Sequence, residues 1–447
     1  MKKVIFQTLG CKVNQYETQG MREKLLGAGF KEIHEAKEAD LLVLNTCTVT
    51  GEGDKKSRYL IRRMHRLNPN AKIIVTGCYA EKNRDEIIRI EGVSEVLGQN
   101  EKDMILERTL KCFDLENPDF TLCRGQDDSA QNARTRFANL SISDFEGYAG
   151  RVFVKVQDGC NHACSFCKVV LVRGRSRSRD LCSIVEEVKR LTQAGFSEIV
   201  LTGIQLGAYG DDFAPQIPLS NMVSSLLDIP ELKRIRLSSI EPTDVTDDLI
   251  ALMKESRKFC PHLHVPIQSG DDQVLQAMRR RYTRDFYRDL VNKLNDGIKD
   301  FALTADVMCG FPGETEEQFQ NTLALLEELK PLKIHAFPYS RREGTLAAKY
   351  NKEVPDFEIA SRVKRLFEHG ARWQSDYLGK YLGKFLSVLV EERLEGGNLF
   401  RGRTVNYMLV EFEGEDVSLG DFVIVKAETI LGDRIFGILL KEEAIHD

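Results

Sequence analysis

GCNHACSFC (residues 159–167) places Cys160, Cys164 and Cys167 within eight positions. Three thiolates this close read as a metal site, yet a tetrahedral structural metal takes four protein ligands. Three thiolates on one loop can instead hold three irons of a 4Fe-4S cluster and leave the fourth iron open. An open position marks a site that does chemistry. Upstream, RVFVKVQDG (151–159) is an alternating apolar run that predicts a strand feeding the loop. Five comparable runs follow, EIVLTG (198–203), RIRLSS (234–239), LHVPI (263–267), ALTADVM (302–308) and HAFPYS (335–340). Helical patterns lie between them; Ile184, Val185, Val188 and Leu191 form one, capped at Gly195. Six such units predict a partial (β/α)6 barrel, with the cysteine loop at the mouth where barrel enzymes place their chemistry.

Residues 1–110 have the same strand-helix rhythm in KVIFQTLG (3–10), DLLVLNT (40–46) and KIIVTG (72–77). An open parallel α/β sheet is expected. Its three strands end just before Cys11, Cys47 and Cys78, so three more thiols share one sheet edge, where ligands of open α/β sheets gather. Between those strands, Leu60, Ile61, Met64 and Leu67 recur at helical spacing. Residues 111–148 are polar and aperiodic and read as a linker, 149–375 as the barrel domain. From 376 to 447, alternating runs separated by Gly-rich turns predict a small β-barrel. The fold class is thus multidomain α/β with a C-terminal β-barrel.

A chain of 447 residues exceeds one ordinary core, and 42% hydrophobic with 29% charged residues is the ordinary composition of a globular protein and gives no signal of disorder. MKKVIFQTLG lacks the apolar core and cleavage site of a secretory signal, and no run approaches the roughly 18 apolar residues of a membrane span. The cytoplasm is the expected compartment, with no membrane partner. There, eleven cysteines point to metal or redox chemistry more than to disulfides. A net charge of −5 argues against a generally polyanion-seeking surface, but KKSRYLIRRMHR (55–66), VRGRSRSR (172–179) and RRRYTR (279–284) are local basic runs.

The C-x3-C-x2-C loop, with Phe166 before its last cysteine, resembles that of the radical S-adenosylmethionine (SAM) superfamily, in which SAM occupies the open iron. The second cysteine triad on an N-terminal α/β domain and the TRAM-like β domain narrow the resemblance, over essentially the whole chain, to the methylthiotransferases. TLGCKVNQYE (8–17) looks like the branch acting on N6-threonylcarbamoyladenosine in tRNA; sister branches act on isopentenyladenosine or on a ribosomal-protein aspartate. The resemblance implies two 4Fe-4S clusters, the SAM-cleaving one on Cys160, Cys164 and Cys167 and a sulfur-delivering one on Cys11, Cys47 and Cys78. It implies two SAM molecules per turnover, one split to a 5′-deoxyadenosyl radical and one supplying methyl, with C–H replacement at adenine C2. It places Phe166, Gly203, Gln205, Ser239, Glu241, His264 and Gln268 near SAM and GFPGET (310–315) at its adenine. An anticodon stem-loop and an electron donor are the implied partners, with Arg173, Arg175 and Arg177 as expected phosphate contacts. Where the family often continues from its third cysteine with an Ile-Ile-Pro type run, this chain has Lys168, Val169, Val170 and Leu171. The rival from another class is a non-catalytic iron-sulfur RNA-binding protein, which would form no 5′-deoxyadenosine from SAM.

Overall fold

Short Val, Ile and Leu runs build the first domain around β1 (Lys3–Thr8), β2 (Lys31–Glu32), β3 (Leu41–Thr46), β4 (Lys72–Gly77) and β5 (Val93–Val96). These pair in parallel in the order β2-β1-β3-β4-β5. All six residues of β3 are buried, as a central strand covered on both faces requires. Helices α1 (Lys12–Gly27), α2 (Gly51–Leu67), α3 (Cys78–Lys82), α4 (Arg84–Ile87) and α5 (Ile105–Cys112) connect and cover the sheet. On α2 the apolar stripe is narrower than its spacing suggests: Ile61 and Met64 are buried, but Leu67 is exposed. The structure, a computed structural model, describes residues 1–48, 51–115, 137–145, 149–395 and 397–440. Most of the expected linker, 116–136 and 146–148, lies outside the described residues. The part within them is a seam: Leu140, Ile142 and Phe145 are buried, the Tyr16 hydroxyl donates to the Leu140 carbonyl, and the Ile142 amide donates to Glu187.

The second domain begins with β6 (Arg151–Lys155) and a short antiparallel pair, β7 (Gln157–Asp158) and β8 (Arg177–Ser178), that brackets the cysteine loop and α6 (Val169–Arg173). Five barrel strands follow, β9 (Glu198–Thr202), β10 (Arg234–Leu237), β11 (His262–His264), β12 (Ala302–Cys309) and β13 (Lys333–Pro338). They form two parallel sheets, β6-β9-β10 and β11-β12-β13, joined by single bridges Ile235–Phe259 and Ser239–His264. Six parallel strands therefore make the expected partial barrel. The helical patterns between them are α7 (Leu181–Gln193), α8 (Leu219–Leu227), α9 (Asp247–Glu255), α10 (Asp272–Ala277), α11 (Arg284–Gly297) and α12 (Glu316–Leu329).

The 24-residue α13 (Asp356–Gly379) leads to a closed five-stranded barrel of TRAM-like build, β14 (Phe385–Arg393), β15 (Leu399–Thr404), β16 (Leu409–Glu413), β17 (Phe422–Leu431) and β18 (Arg434–Leu439). LFRGRTVNYMLVEF, which reads as one alternating segment, is two strands because Tyr407 turns the chain with a φ of 72°. No helix among the described residues is long and apolar enough to cross a membrane.

Candidate active site

The loop after β6 is fixed before any ligand enters it. Gly159 has a φ of 73°, and a Cβ there would lie 2.0 Å from the Arg175 carbonyl oxygen, so only glycine lets the chain pass. The Cys160 amide donates to the Gly174 carbonyl at 3.1 Å, and Ser165 donates through its amide to Met278 O and through its hydroxyl to Ala277 O. Each sulfur meets an N–H donor: His162 N to Cys160 at 3.3 Å, Val169 N to Cys167 at 3.4 Å, and Arg280 Nη1 to Cys164 at 3.4 Å. Burial, with the neighbouring sulfurs adding to it, pushes Cys160 up to about 12 and Cys167 to about 11. Thiols crowded on one short loop are poised to exchange their protons for a cationic centre.

Some of the other residues implied for SAM connect to this loop. Gln205 Oε1 accepts the Asn161 amide at 3.0 Å, and its Nε2 lies 2.9 Å from His162 Nε2. Gly203 sits where a Cβ would be 2.9 Å from Gln157 Oε1, and that same oxygen accepts the Gln205 amide at 2.8 Å. Phe166 packs against an apolar cluster that includes Phe311 of the GFPGET loop. Glu241 binds Arg280 at 2.6 Å, the arginine that reaches Cys164. Gln268 is buried at a φ of 63° with its Oε1 lacking a hydrogen-bond partner among the described residues. Ser239 and His264 instead line a cavity of about 660 Å³ on the side of Cys11.

Adjacent strands β1, β3 and β4 carry Cys11, Cys47 and Cys78 to one edge. A Cβ on Gly10 (φ 104°) would lie 3.0 Å from the Cys47 sulfur, and one on Gly77 (φ 100°) only 2.2 Å from the Thr46 carbonyl oxygen. Asn14 Nδ2 ties the loops together by donating to Leu9 O at 2.7 Å and Thr46 O at 3.1 Å. Cys78 accepts from Gln99 Nε2 and from Arg173 Nε, both at 3.2 Å. Burial raises its thiol, and Arg173 and Lys102 pull against that rise.

Arg173 and Arg177, expected to face phosphate, are buried at 3% and 5% exposure. Arg173 Nη1 pairs with Glu17 at 3.1 Å and Asp158 at 3.0 Å, and Nη2 donates to Asn14 at 2.7 Å. Arg177 pairs with Asp158 at 3.4 Å. The physical reason is that these arginines answer carboxylates sealed between the two domains. Only Arg175 of the three is exposed. Lys102 and Lys155 complete the network, Lys155 at 2.6 Å from Glu17 and 2.7 Å from Asp158. Two carboxylates thus face four cations beside the Cys78 sulfur. Buried charge of one sign needs an answer, and anionic cysteine thiolates holding a cluster supply it. Among the described residues no three His, Cys, Asp or Glu side chains converge on a single-ion site; ligands of a four-iron cluster stand farther apart than ligands of one ion. The donor set fits clusters.

Glu17, Asp158, Lys102 and Arg280 escape sequence reading, although Asn14 and Glu17 stand one helical turn apart just after Cys11 and Asp158 stands two residues before Cys160. Lys168 is buried, beside Arg342 and Lys82, and burial followed by those cations lowers its ammonium to about 8.

Residues 3–98 match the family model described as uncharacterized protein family UPF0004, and residues 154–326 match the radical SAM superfamily. Fold and site together define a radical SAM enzyme with a second cysteine site. The chain is 40% identical to the threonylcarbamoyladenosine tRNA methylthiotransferase MtaB of Bacillus subtilis, covering 95% of this chain and 94% of that one. It is 37% identical to the MtaB of Aquifex aeolicus, covering 92% and 97%. It belongs to the MtaB family of radical SAM methylthiotransferases. It is also 33% identical, over 96% of its length and 89% of the relative's, to the tRNA-2-methylthio-N(6)-dimethylallyladenosine synthase of Acetivibrio thermocellus. Among solved structures, the radical SAM methyltransferase TsrM of Kitasatospora setae shares the fold at a TM-score of 0.54, with 16% identity over 78% of this chain and 77% of that one.

Proposed function

We propose that this protein converts N6-threonylcarbamoyladenosine at position 37 of tRNA to its 2-methylthio derivative, using SAM and two 4Fe-4S clusters. The observation that carries the reading is the cavity of about 660 Å³, which is lined by Cys11 of the first domain and by residues of all six barrel strands. Adenine C2 bears an unactivated hydrogen with neither acidity nor a leaving group, and the bound cofactors supply radical C–H activation, sulfur and methyl for its replacement.

This chain's residues do the rest. Cys160, Cys164 and Cys167 would hold the SAM-binding cluster and Cys11, Cys47 and Cys78 the second one. Arg173 touches the Cys78 sulfur from the helix that follows Cys167, which fixes the two sites relative to each other. Gln205 and Asn161 hold the cysteine loop, while Gln268 offers a ligand amine or hydroxyl a carbonyl oxygen that has no donor among the described residues. Anticodon-loop bases splay out of the stack readily enough to reach an interior cavity. Phosphate contacts fall to Arg175 and to the groove beside α2, about 770 Å³ and lined by Lys55, Arg58, Tyr59, Arg62, Arg66 and Arg89. Tyr59 is 54% exposed there, an aromatic face set among cations.

Nucleoside mass spectrometry of tRNA from a strain deleted for this protein tests the reading. Loss of the methylthio form of threonylcarbamoyladenosine, restored by the wild-type chain and not by Cys164→Ala, is the expected result. Its persistence, or loss of methylthio-isopentenyladenosine in its place, overturns the reading.

A further inference from the structure

Among the described residues, three lysine or arginine cations line the cavity shared by the two domains, Lys12, Arg151 and Arg236, and the two arginines are answered from within. Arg151 pairs with Glu391 at 2.9 Å and Arg236 with Glu198 at 2.9 Å, while the His264 ring lies 3.2 Å from Asp306. His262 stays neutral: burial holds it well below the usual imidazole range, and Arg236 and His264 add to that. Lys12, the first residue of α1, lines the same cavity and is half-buried. Among the described residues its side chain makes no hydrogen bond or ion pair, yet its charge reaches His262, Asp306, His335 and Tyr407 on the facing walls. The surplus is felt locally. Burial alone would raise the Tyr407 phenol, but Arg403, Lys12, Arg151 and Arg236 together bring it below its ordinary value.

A half-buried ammonium in a positively charged cavity calls for an anion. Threonylcarbamoyladenosine brings one, because its amino acid is linked through nitrogen and leaves a carboxylate free, whereas the isopentenyl group is neutral. We propose that Lys12 is the specificity-determining residue, its ammonium binding the threonyl carboxylate and so holding the base beside Cys11. The inference rests on the substrate reading above. A charge-assisted hydrogen bond in such a site corresponds to about a ten- to hundredfold difference in affinity.

The test uses anaerobically reconstituted full-length protein and anticodon stem-loop RNAs carrying threonylcarbamoyladenosine or its methyl ester, with binding read by fluorescence anisotropy. Wild type and Lys12→Arg should prefer the acid over the ester by about tenfold or more, and Lys12→Met should bind both alike. Iron content checks each variant, and Lys12→Gln repeats the comparison if Lys12→Met loads less iron. SAM affinity, read by equilibrium dialysis, should be unchanged. The proposal is overturned if wild type shows no preference, if the iron-replete neutral variants keep the wild-type preference, or if they lose SAM affinity with that preference intact, which would make SAM's carboxylate the partner. A protein that methylthiolates the RNA but keeps its preference without Lys12 sinks this inference alone; a protein that never methylthiolates it sinks the substrate reading.

Discussion

The guanidinium of Arg173 contacts a cysteine of one site from a helix that begins two residues after the last cysteine of the other. At 3% exposure, between Glu17 and Asp158, it is structural wiring that no surface arginine could supply. Removing one partner from a buried charge set leaves the remainder uncompensated, so Arg173→Met should cost about 3–5 kcal/mol in unfolding free energy, measured by urea titration. Arg175→Glu, two residues on and exposed, should leave stability within about 0.5 kcal/mol of wild type while weakening tRNA binding in a salt-dependent way. Equal effects of the two substitutions would contradict the placement of both side chains. The run VRGRSRSR is legible as charge, but not as two populations facing opposite ways.

Among the elements, the edge of the first sheet is the most constrained. Gly77 joins β4 to α3 at a φ of 100°, with the Thr46 carbonyl oxygen only 2.2 Å from where a Cβ would sit. Gly77→Ala must therefore move the Cys47 and Cys78 loops apart, and iron after anaerobic reconstitution should fall from about eight to about four per chain. A full iron load in that variant would contradict the assignment of these cysteines. Along α2, Arg62→Glu with Arg66→Glu should weaken tRNA binding nearly independently of sequence and flatten its dependence on log salt by about one per cation lost. Neither residue packs in the core, so the melting temperature serves as the control.

Across the whole molecule, buried arginines of the barrel also bind the C-terminal domain. Arg236 donates to Thr404 O at 3.3 Å while pairing with Glu198, Arg234 donates to Ser387 O at 3.1 Å, and Arg151 pairs with Glu391. Burial alone would raise the Glu198 carboxyl, but Arg236, Arg151 and Arg234 bring it down to about 2, below the ordinary value of 4.5. A depressed carboxylate stabilises the fold above its unfolded value, and that contribution is lost as pH falls through the folded one. The urea midpoint should therefore drop from pH 4.5 towards 2, and Glu198→Gln should lower it at neutral pH and flatten that part of its acid dependence. Sequence by itself determined the strand-helix alternation, the closing β-barrel and the six cysteines, because period-2 apolar runs and a cysteine at each strand end are local patterns. Tertiary structure alone decided which cations are answered: Glu17 meets Lys155 across 138 positions, a pairing no local pattern encodes, and among the described residues Lys12 has no ion pair while Arg151 and Arg236 of the same cavity do. Buried charges pair by proximity in the folded chain, and proximity is what a linear sequence does not record.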